Sequence, residues 1–305
     1  MKIISLGEVL WDIVGDQEHL GGAPLNFAVN ARRLGHEVFF VSAVGDDERG
    51  NRILSRMSEL GLSSRYVRRA ANLPTGTVSV TLDRAGQPSY VIHRPAAYDV
   101  PALDEDQAGL ESLLSPPPDW IYYGTLQNLS PASYDALLNV LAAAPAARRF
   151  YDVNLRRDSH HPALLRDLLR HASVLKLNDG EVGDLRGALG IRAGSLEQFC
   201  RDCAAAFHLE TVCVTRGAEG CVLLSKDYVE SPGYRVPVAD AIGAGDAFSA
   251  ALVHGIGAAW PAEKIADFAN RVGALVAGRP GGTPEWSIQE ALALERSAPH
   301  KYNHC

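Results

Sequence analysis

Short β-rich runs alternate with longer amphipathic segments along most of this chain, and few folds accommodate that alternation. Strand patterns fall at Ile3–Leu6, Val38–Ala43, Trp120–Tyr123, Phe150–Val153, Val174–Leu177, Thr211–Thr215 and Cys221–Leu224. Helical patterns lie between most of them, at Pro24–Leu34, Arg49–Leu60, Ser133–Ala143, Ala163–Arg170, Glu181–Leu189 and Leu196–Phe207. Strands followed by amphipathic helices predict a mostly parallel sheet with helices on both faces, an α/β fold in three layers. Beyond Ser231 the pattern is helical, with Ala244–Gly255, Ala262–Ala277 and Ile288–Arg296. The 305 residues are enough for one such domain, 1–305, and contain no internal repeat or low-complexity linker.

One stretch breaks the alternation. Gly76–Leu82 and Ser89–His93 are two strand patterns separated by the turn-forming run Asp83-Arg84-Ala85-Gly86-Gln87-Pro88. With no crossover helix between them, the pair does not belong in a parallel sheet. Val9–Val14 and Glu18–Leu20, with Gly15-Asp16 at the turn, read as a second small hairpin. Together they predict a small β-sheet lid inserted into the α/β domain, built from about residues 9–20 and 65–99. A lid of this kind excludes water from a transfer site. Exposed lid edges also invite pairing, which points to a homodimer through the lid.

A net charge of −7 disfavours nucleic acid as the main partner but leaves a local nucleotide site open. No apolar run approaches the ~20 residues of a membrane span, and the start Met-Lys-Ile-Ile-Ser-Leu-Gly-Glu reads as a strand, not a signal peptide. Five cysteines without framework spacing fit a reduced, cytoplasmic protein. Cys200 and Cys203 sit in a helical pattern and read as thiols of a buried face. The tail Asn303-His304-Cys305 reads as a frayed terminus.

The richest stretch chemically is Asp240-Ala241-Ile242-Gly243-Ala244-Gly245-Asp246, followed at once by the apolar run Ala-Phe-Ser-Ala-Ala-Leu-Val. Gly243, Ala244 and Gly245 let backbone N–H groups converge at a helix start, a ready anion site. A carboxylate inside an anion site makes sense as a general base: Asp246 takes a hydroxyl proton while the N–H groups hold a transferring phosphoryl group. Asp240 either accepts loop N–H groups as a brace or helps hold a cation, the brace being favoured.

Gly21-Gly22-Ala23-Pro24-Leu25-Asn26 permits close backbone approach to a ligand and then starts a helix, placing the Asn26 amide in its first turns. Asp12 and Gly45-Asp46-Asp47 flank the same cleft, and carboxylates bind sugar hydroxyls well. Asp152, Asn154 and Arg156 point the same way from a strand end, where ligands of open α/β sheets bind. Asn178 and Glu181, spaced i, i+3 after another strand end, suit the waters of a magnesium ion. Thr215-Arg216-Gly217-Ala218-Glu219-Gly220 reads as a tight turn between two strands. The chain has no Gly-x4-Gly-Lys-Ser/Thr loop and no dinucleotide fingerprint after its first strand, which disfavours a dehydrogenase.

These residues resemble the ribokinase-like, PfkB-type carbohydrate kinases over about Ile3 to Pro284. The N-terminal signature is similar to Gly21-Gly22…Asn26, Ala31…Leu34-Gly35 and Val44-Gly45-Asp46-Asp47…Gly50; the C-terminal one to Asp240…Gly243-Ala244-Gly245-Asp246. The resemblance implies ATP-dependent phosphorylation of a sugar hydroxyl with Mg2+. It implies Asp246 as catalytic base, Gly243, Ala244 and Gly245 as anion hole, and Asp12, Gly22 and Asn26 as sugar contacts. Asn178 and Glu181 match the magnesium and phosphate pair; Thr215, Gly217 and Gly220 match the nucleotide turn; Asn270 lies where the family's helix passes the adenine. Asp240 and the loop near Gly281 match a region that often holds K+. Ala241 departs from the pattern, which usually has threonine or serine there. The segments Gly21–Phe27 and His93–Asp99 look most like fructokinases, with Arg94 pointing from the lid toward the sugar. Other acceptors in the family are ribose, 2-keto-3-deoxygluconate, a nucleoside or a phosphorylated hexose, the last served by Arg65, Arg68 and Arg69. A non-catalytic binding protein on the same fold is the remaining alternative.

Overall fold

The computed structural model of the chain describes residues 1–82, 88–101, 107–156 and 159–296. In chain order the elements are β1 (Lys2–Leu6), β2 (Leu10–Val14), β3 (Gln17–Gly21), α1 (Ala23–Arg33), β4 (Glu37–Gly45), α2 (Glu48–Glu59), β5 (Val67–Ala70), β6 (Gly76–Leu82) and β7 (Pro88–His93). Then come α3 (Gln107–Leu113), β8 (Trp120–Gly124), α4 (Pro131–Ala143), β9 (Arg148–Asp152), α5 (Pro162–His171), β10 (Val174–Asn178), α6 (Val182–Leu189) and α7 (Leu196–Phe207). The last are β11 (Thr211–Thr215), β12 (Cys221–Leu224), β13 (Tyr228–Ser231), α8 (Ala244–Gly257), α9 (Ala262–Ala277) and α10 (Ile288–Ala293).

A nine-stranded sheet runs β13-β12-β11-β10-β9-β8-β1-β4-β5, parallel from β11 through β5 and antiparallel at β12 and β13. Strand alternation divides its side chains between two cores. Ile3, Trp120, Tyr122 and Phe150 face α1, α8 and α9. Ile4, Ile121, Tyr123 and Tyr151 face α5 and α7 on the opposite side. The expected three layers follow directly. Phe27 of α1 stacks on Tyr122 with ring centroids 3.9 Å apart and lies 6.3 Å from Phe150, so the aromatic column fixes α1 on the sheet. Cys200 and Cys203 are fully buried on α7, as their helical spacing predicts. The tail at 303–305 and the turn at 83–87 fall outside the described residues.

The small sheet has four strands in the order β3-β2-β6-β7. Both expected hairpins form, β2 with β3 and β6 with β7, and β2 joins them in parallel to β6. Residues 65–75, expected with the lid, go elsewhere. Val67–Ala70 pairs in parallel with β4 and closes the edge of the large sheet, with Ala70 buried and Val67 packed on the core. That segment has no hairpin partner of its own, whereas β4 offers it an open ladder. The short strand β13 and helix α3 are also absent from the sequence reading, being too brief to carry a clear period.

Replacing Phe27 with alanine should cost about 3–5 kcal/mol, because the column cannot collapse around the lost ring. Equilibrium urea unfolding of Phe27→Ala against the parent measures this loss.

Candidate active site

The site sits where the carboxyl ends of β1, β9, β10 and β11 meet the N-terminus of α8. Helix α8 is buried along Asp246–Val253 and packs between α1 and α9. Its N-cap is Gly243, with φ 77° and no side-chain cap. A Cβ on Gly243 would fall 1.9 Å from the Gly282 carbonyl oxygen, so glycine is required where the two loops touch. Asp240 is the brace of this junction: Oδ1 accepts from the Ile242 N–H (2.9 Å) and Oδ2 from the Gly281 N–H (3.1 Å).

Asp246 lies in the first turn of α8 and does not cap it. Its Oδ2 accepts from Asn26 Nδ2 at 2.9 Å. Burial, reinforced by the charge of Asp152, pushes its carboxyl up to about 6, against the opposing pull of Asn26, Lys176 and Arg156. Beneath it lies a buried network. Asp152 accepts from Lys176 Nζ (3.1 and 3.3 Å), Ser249 Oγ (2.8 Å) and Tyr122 OH (3.2 Å), tying β9, β10, β8 and α8 together.

Two cavities meet at this helix start. One, of about 380 Å³, lies between the small sheet and α8 and is lined by Asp12, Gly22, Asn26, Gly243 and Asp246. The sheet register builds its wall: Leu10, Asp12 and Val14 share one face of β2, and Asp12 is in line with His19 and Val78, the latter paired to Ile92. Gly22 has φ 116°, and a Cβ there would lie 2.4 Å from the Glu8 carbonyl oxygen. Burial raises the Asp12 carboxyl above its ordinary range, partly offset by Arg156.

The second cavity, of about 640 Å³, lies between the end of β11, the chain that follows β13 and α9, and is lined by Thr215, Gly217, Gly220, Ala244 and Asn270. Asn270 Nδ2 donates to Ser231 Oγ (3.1 Å) and to the carbonyls of Ser231 and Pro232 (both 3.3 Å), holding the wall of the cavity. Asn178, Thr215, Ala241 and Gly245 line both cavities. Ligands in the two would therefore meet across Gly245, beside Asp246.

Three expected site residues line neither cavity. The Arg94 guanidinium pairs with Asp99 (2.5 Å) and donates to the Leu126 carbonyl (3.1 Å), so it anchors the chain after β7 and does not point at the sugar cavity. Glu181 accepts from the N–H groups of Leu155 (2.7 Å) and Asn178 (2.8 Å), bracing two strand ends. Asp240 is the brace described above. Arg65, Arg68 and Arg69 belong to the β5 region: Arg65 donates to Ser112 and Arg69 to Asn51, and neither cavity includes them. Among the described residues no cluster of three or more His, Cys, Asp or Glu could hold a metal. With Asp246 as the carboxylate at the junction of the cavities, the site suits a magnesium ion that arrives on a nucleotide with its own waters.

Three titratable residues of the small cavity, Glu8, His19 and Lys176, are not expected there from sequence, and a fourth, Arg156, is noticed only as a strand-end cation. Lys176 is a charge inside an otherwise apolar strand, and its register partner across the sheet is Asp152. That interruption was the available signal. Glu8 follows the fully buried strand β1 and is itself buried. Arg156 lines the cavity from the β9 end.

The fold is one that carbohydrate kinases share. A model of the pfkB family carbohydrate kinases matches residues 6–288, and the chain belongs to that family. It is 28% identical to a fructokinase of Escherichia coli over 324 residues, covering 97% of this chain and 99% of that protein. Among solved structures, a fructokinase of Xylella fastidiosa with bound ATP superposes with a TM-score of 0.83 at 24% identity, covering 96% and 97% of the two chains. An uncharacterized sugar kinase of Pyrococcus horikoshii gives 0.79 at 27% identity, covering 96% and 100%.

The raised carboxyl of Asp246 carries a stability signature. The neutral form is favoured in the folded state, so the penalty is full above pH 6 and vanishes below about pH 4. It amounts to about 3 kcal/mol. Asp246→Asn should raise the Tm by several degrees at pH 8, and the gain should disappear by pH 4; thermal melts at the two pH values check it.

Proposed function

We propose that the chain transfers the γ-phosphoryl group of ATP to a primary hydroxyl of a neutral monosaccharide, with fructose the best acceptor. The observation that carries this reading is Asp246, a buried carboxylate at the floor of the smaller cavity, where that cavity meets the larger one. The larger cavity takes the nucleotide and the smaller one the sugar. Magnesium comes with the nucleotide, and when bound it neutralises phosphate charge.

The chain's own residues do the rest. Asn26 holds the Asp246 carboxylate in place from α1. Asp246 removes the proton from the attacking hydroxyl, and the N–H groups at Gly243–Gly245, which no side chain caps, receive the transferring phosphoryl group. The small sheet covers the sugar and excludes water, so the hydroxyl and not a solvent molecule attacks. The relatives named as fructokinases support the acceptor, as does the sequence Gly21–Phe27.

Charge favours a neutral acceptor. The smaller cavity carries three carboxylates, Glu8, Asp12 and Asp246, against Arg156, His19 and a Lys176 already held by Asp152. A sugar acid or sugar phosphate would add a further negative charge to that set.

Asp246→Asn should lower kcat by about 10²–10⁴-fold while ATP binding by calorimetry survives; parental turnover by the variant would defeat the mechanism. The base must be ionised, so kcat/KM should fall as pH drops through about 6. In a coupled ADP-release assay, free fructose and other neutral sugars should exceed sugar acids and sugar phosphates by about tenfold or more in kcat/KM. Running the panel with and without potassium tests whether the Asp240–Gly281 loop uses that ion.

A further inference from the structure

Glu8 lies just past the end of β1, 5% exposed, with its Oε2 buried and without a hydrogen-bond partner in the protein. It lines the sugar-side cavity and not the nucleotide-side one. The neighbouring N–H groups of Glu8 itself and Ala23 favour its charged form, as does Arg156, while Asp246 opposes it; burial outweighs them and pushes the carboxyl up to about 7. Its position is fixed, because Gly22 packs directly on the Glu8 carbonyl. Asn26, on the same cavity, also has a buried acceptor without a partner, Oδ1, while its Nδ2 is committed to Asp246.

A buried carboxylate oxygen is costly unless something donates to it. Glu8 therefore presents an unanswered acceptor beside whatever fills the cavity. Phosphates and carboxylates bring acceptors of their own and cannot answer the ionised form of Glu8, which prevails above about pH 7. A hydroxyl can. We propose that Glu8 is a specificity-determining residue whose buried Oε2 accepts a hydrogen bond from a sugar hydroxyl other than the one phosphorylated. This rests on the reading of the chain as a sugar kinase. The phosphorylated hydroxyl belongs at Asp246, where the two cavities meet; Glu8 lines the sugar-side cavity alone, with its backbone against the N-cap of α1.

The test pairs residue deletion with hydroxyl deletion. The parent protein, Glu8→Gln and Glu8→Ala are assayed with the best neutral sugar and its single-deoxy analogues. In the parent, one deoxy position should cost about 10–100-fold in kcat/KM, the range for a hydrogen bond to a charged group. Glu8→Ala should lose a similar factor with the intact sugar, mostly through KM, and lose nothing more with that one analogue. The other analogues should keep their penalties. Glu8→Gln keeps the side-chain shape, so it carries the comparison if Glu8→Ala folds poorly. ATP affinity should be unchanged in both variants, which a general structural defect would not allow. Parental kcat/KM in the variants, or penalties that multiply equally at every deoxy position, would overturn the assignment while leaving the kinase reading intact. A parent protein that phosphorylates no sugar would instead bring down both.

Discussion

The buried ion pair between Asp152 and Lys176 is the interaction on which the site depends. Lys176 is 5% exposed and Asp152 is fully buried, and the two pair at 3.1 Å out of reach of solvent. Tyr122 and Ser249 donate to Asp152 as well, so three strands and α8 share one carboxylate. Removing either partner would leave an uncompensated charge under the helix start that holds Asp246. The pair also sets the local field. Asp152 disfavours the ionised form of Asp246, and Lys176 favours it. The result is a base that is ionised at neutral pH yet close enough to its titration to accept a proton.

Placement of the remaining residues follows from backbone contacts that only glycine allows. Gly243 touches the loop at Gly282, and Gly22 touches the chain at Glu8. The first contact opens the start of α8 to a ligand; the second brings the start of α1 against the end of β1. Asn26 spans the two helices by donating to Asp246. The small sheet then supplies a wall whose face is set by strand register.

Much of this was legible in the sequence. Period and alternation gave most strands and helices to within a residue or two, and α9 to the residue. The Gly-Ala-Gly-Asp run marked the helix start because an acid in an anion site is chemically unusual. What was not legible depended on pairing between distant segments. Val67–Ala70 could be assigned to the large sheet only by knowing that β4 had an open edge. Arg94 looked like a sugar contact because sequence does not show Asp99 closing on it. Nor does sequence show that two backbone N–H groups from separate strand ends, those of Leu155 and Asn178, already donate to Glu181. Ala241 lines both cavities without a hydroxyl of its own.

The central claim is that a sugar hydroxyl is delivered to Asp246 at the junction of the two cavities. A crystal structure with fructose and a non-hydrolysable ATP analogue tests it most directly. The account predicts a primary hydroxyl within about 2.6–3.2 Å of an Asp246 oxygen, with the terminal phosphate of the analogue facing Gly243–Gly245. A sugar bound with all its hydroxyls beyond hydrogen-bond reach of Asp246, or a nucleotide whose phosphates point away from that helix start, would contradict it.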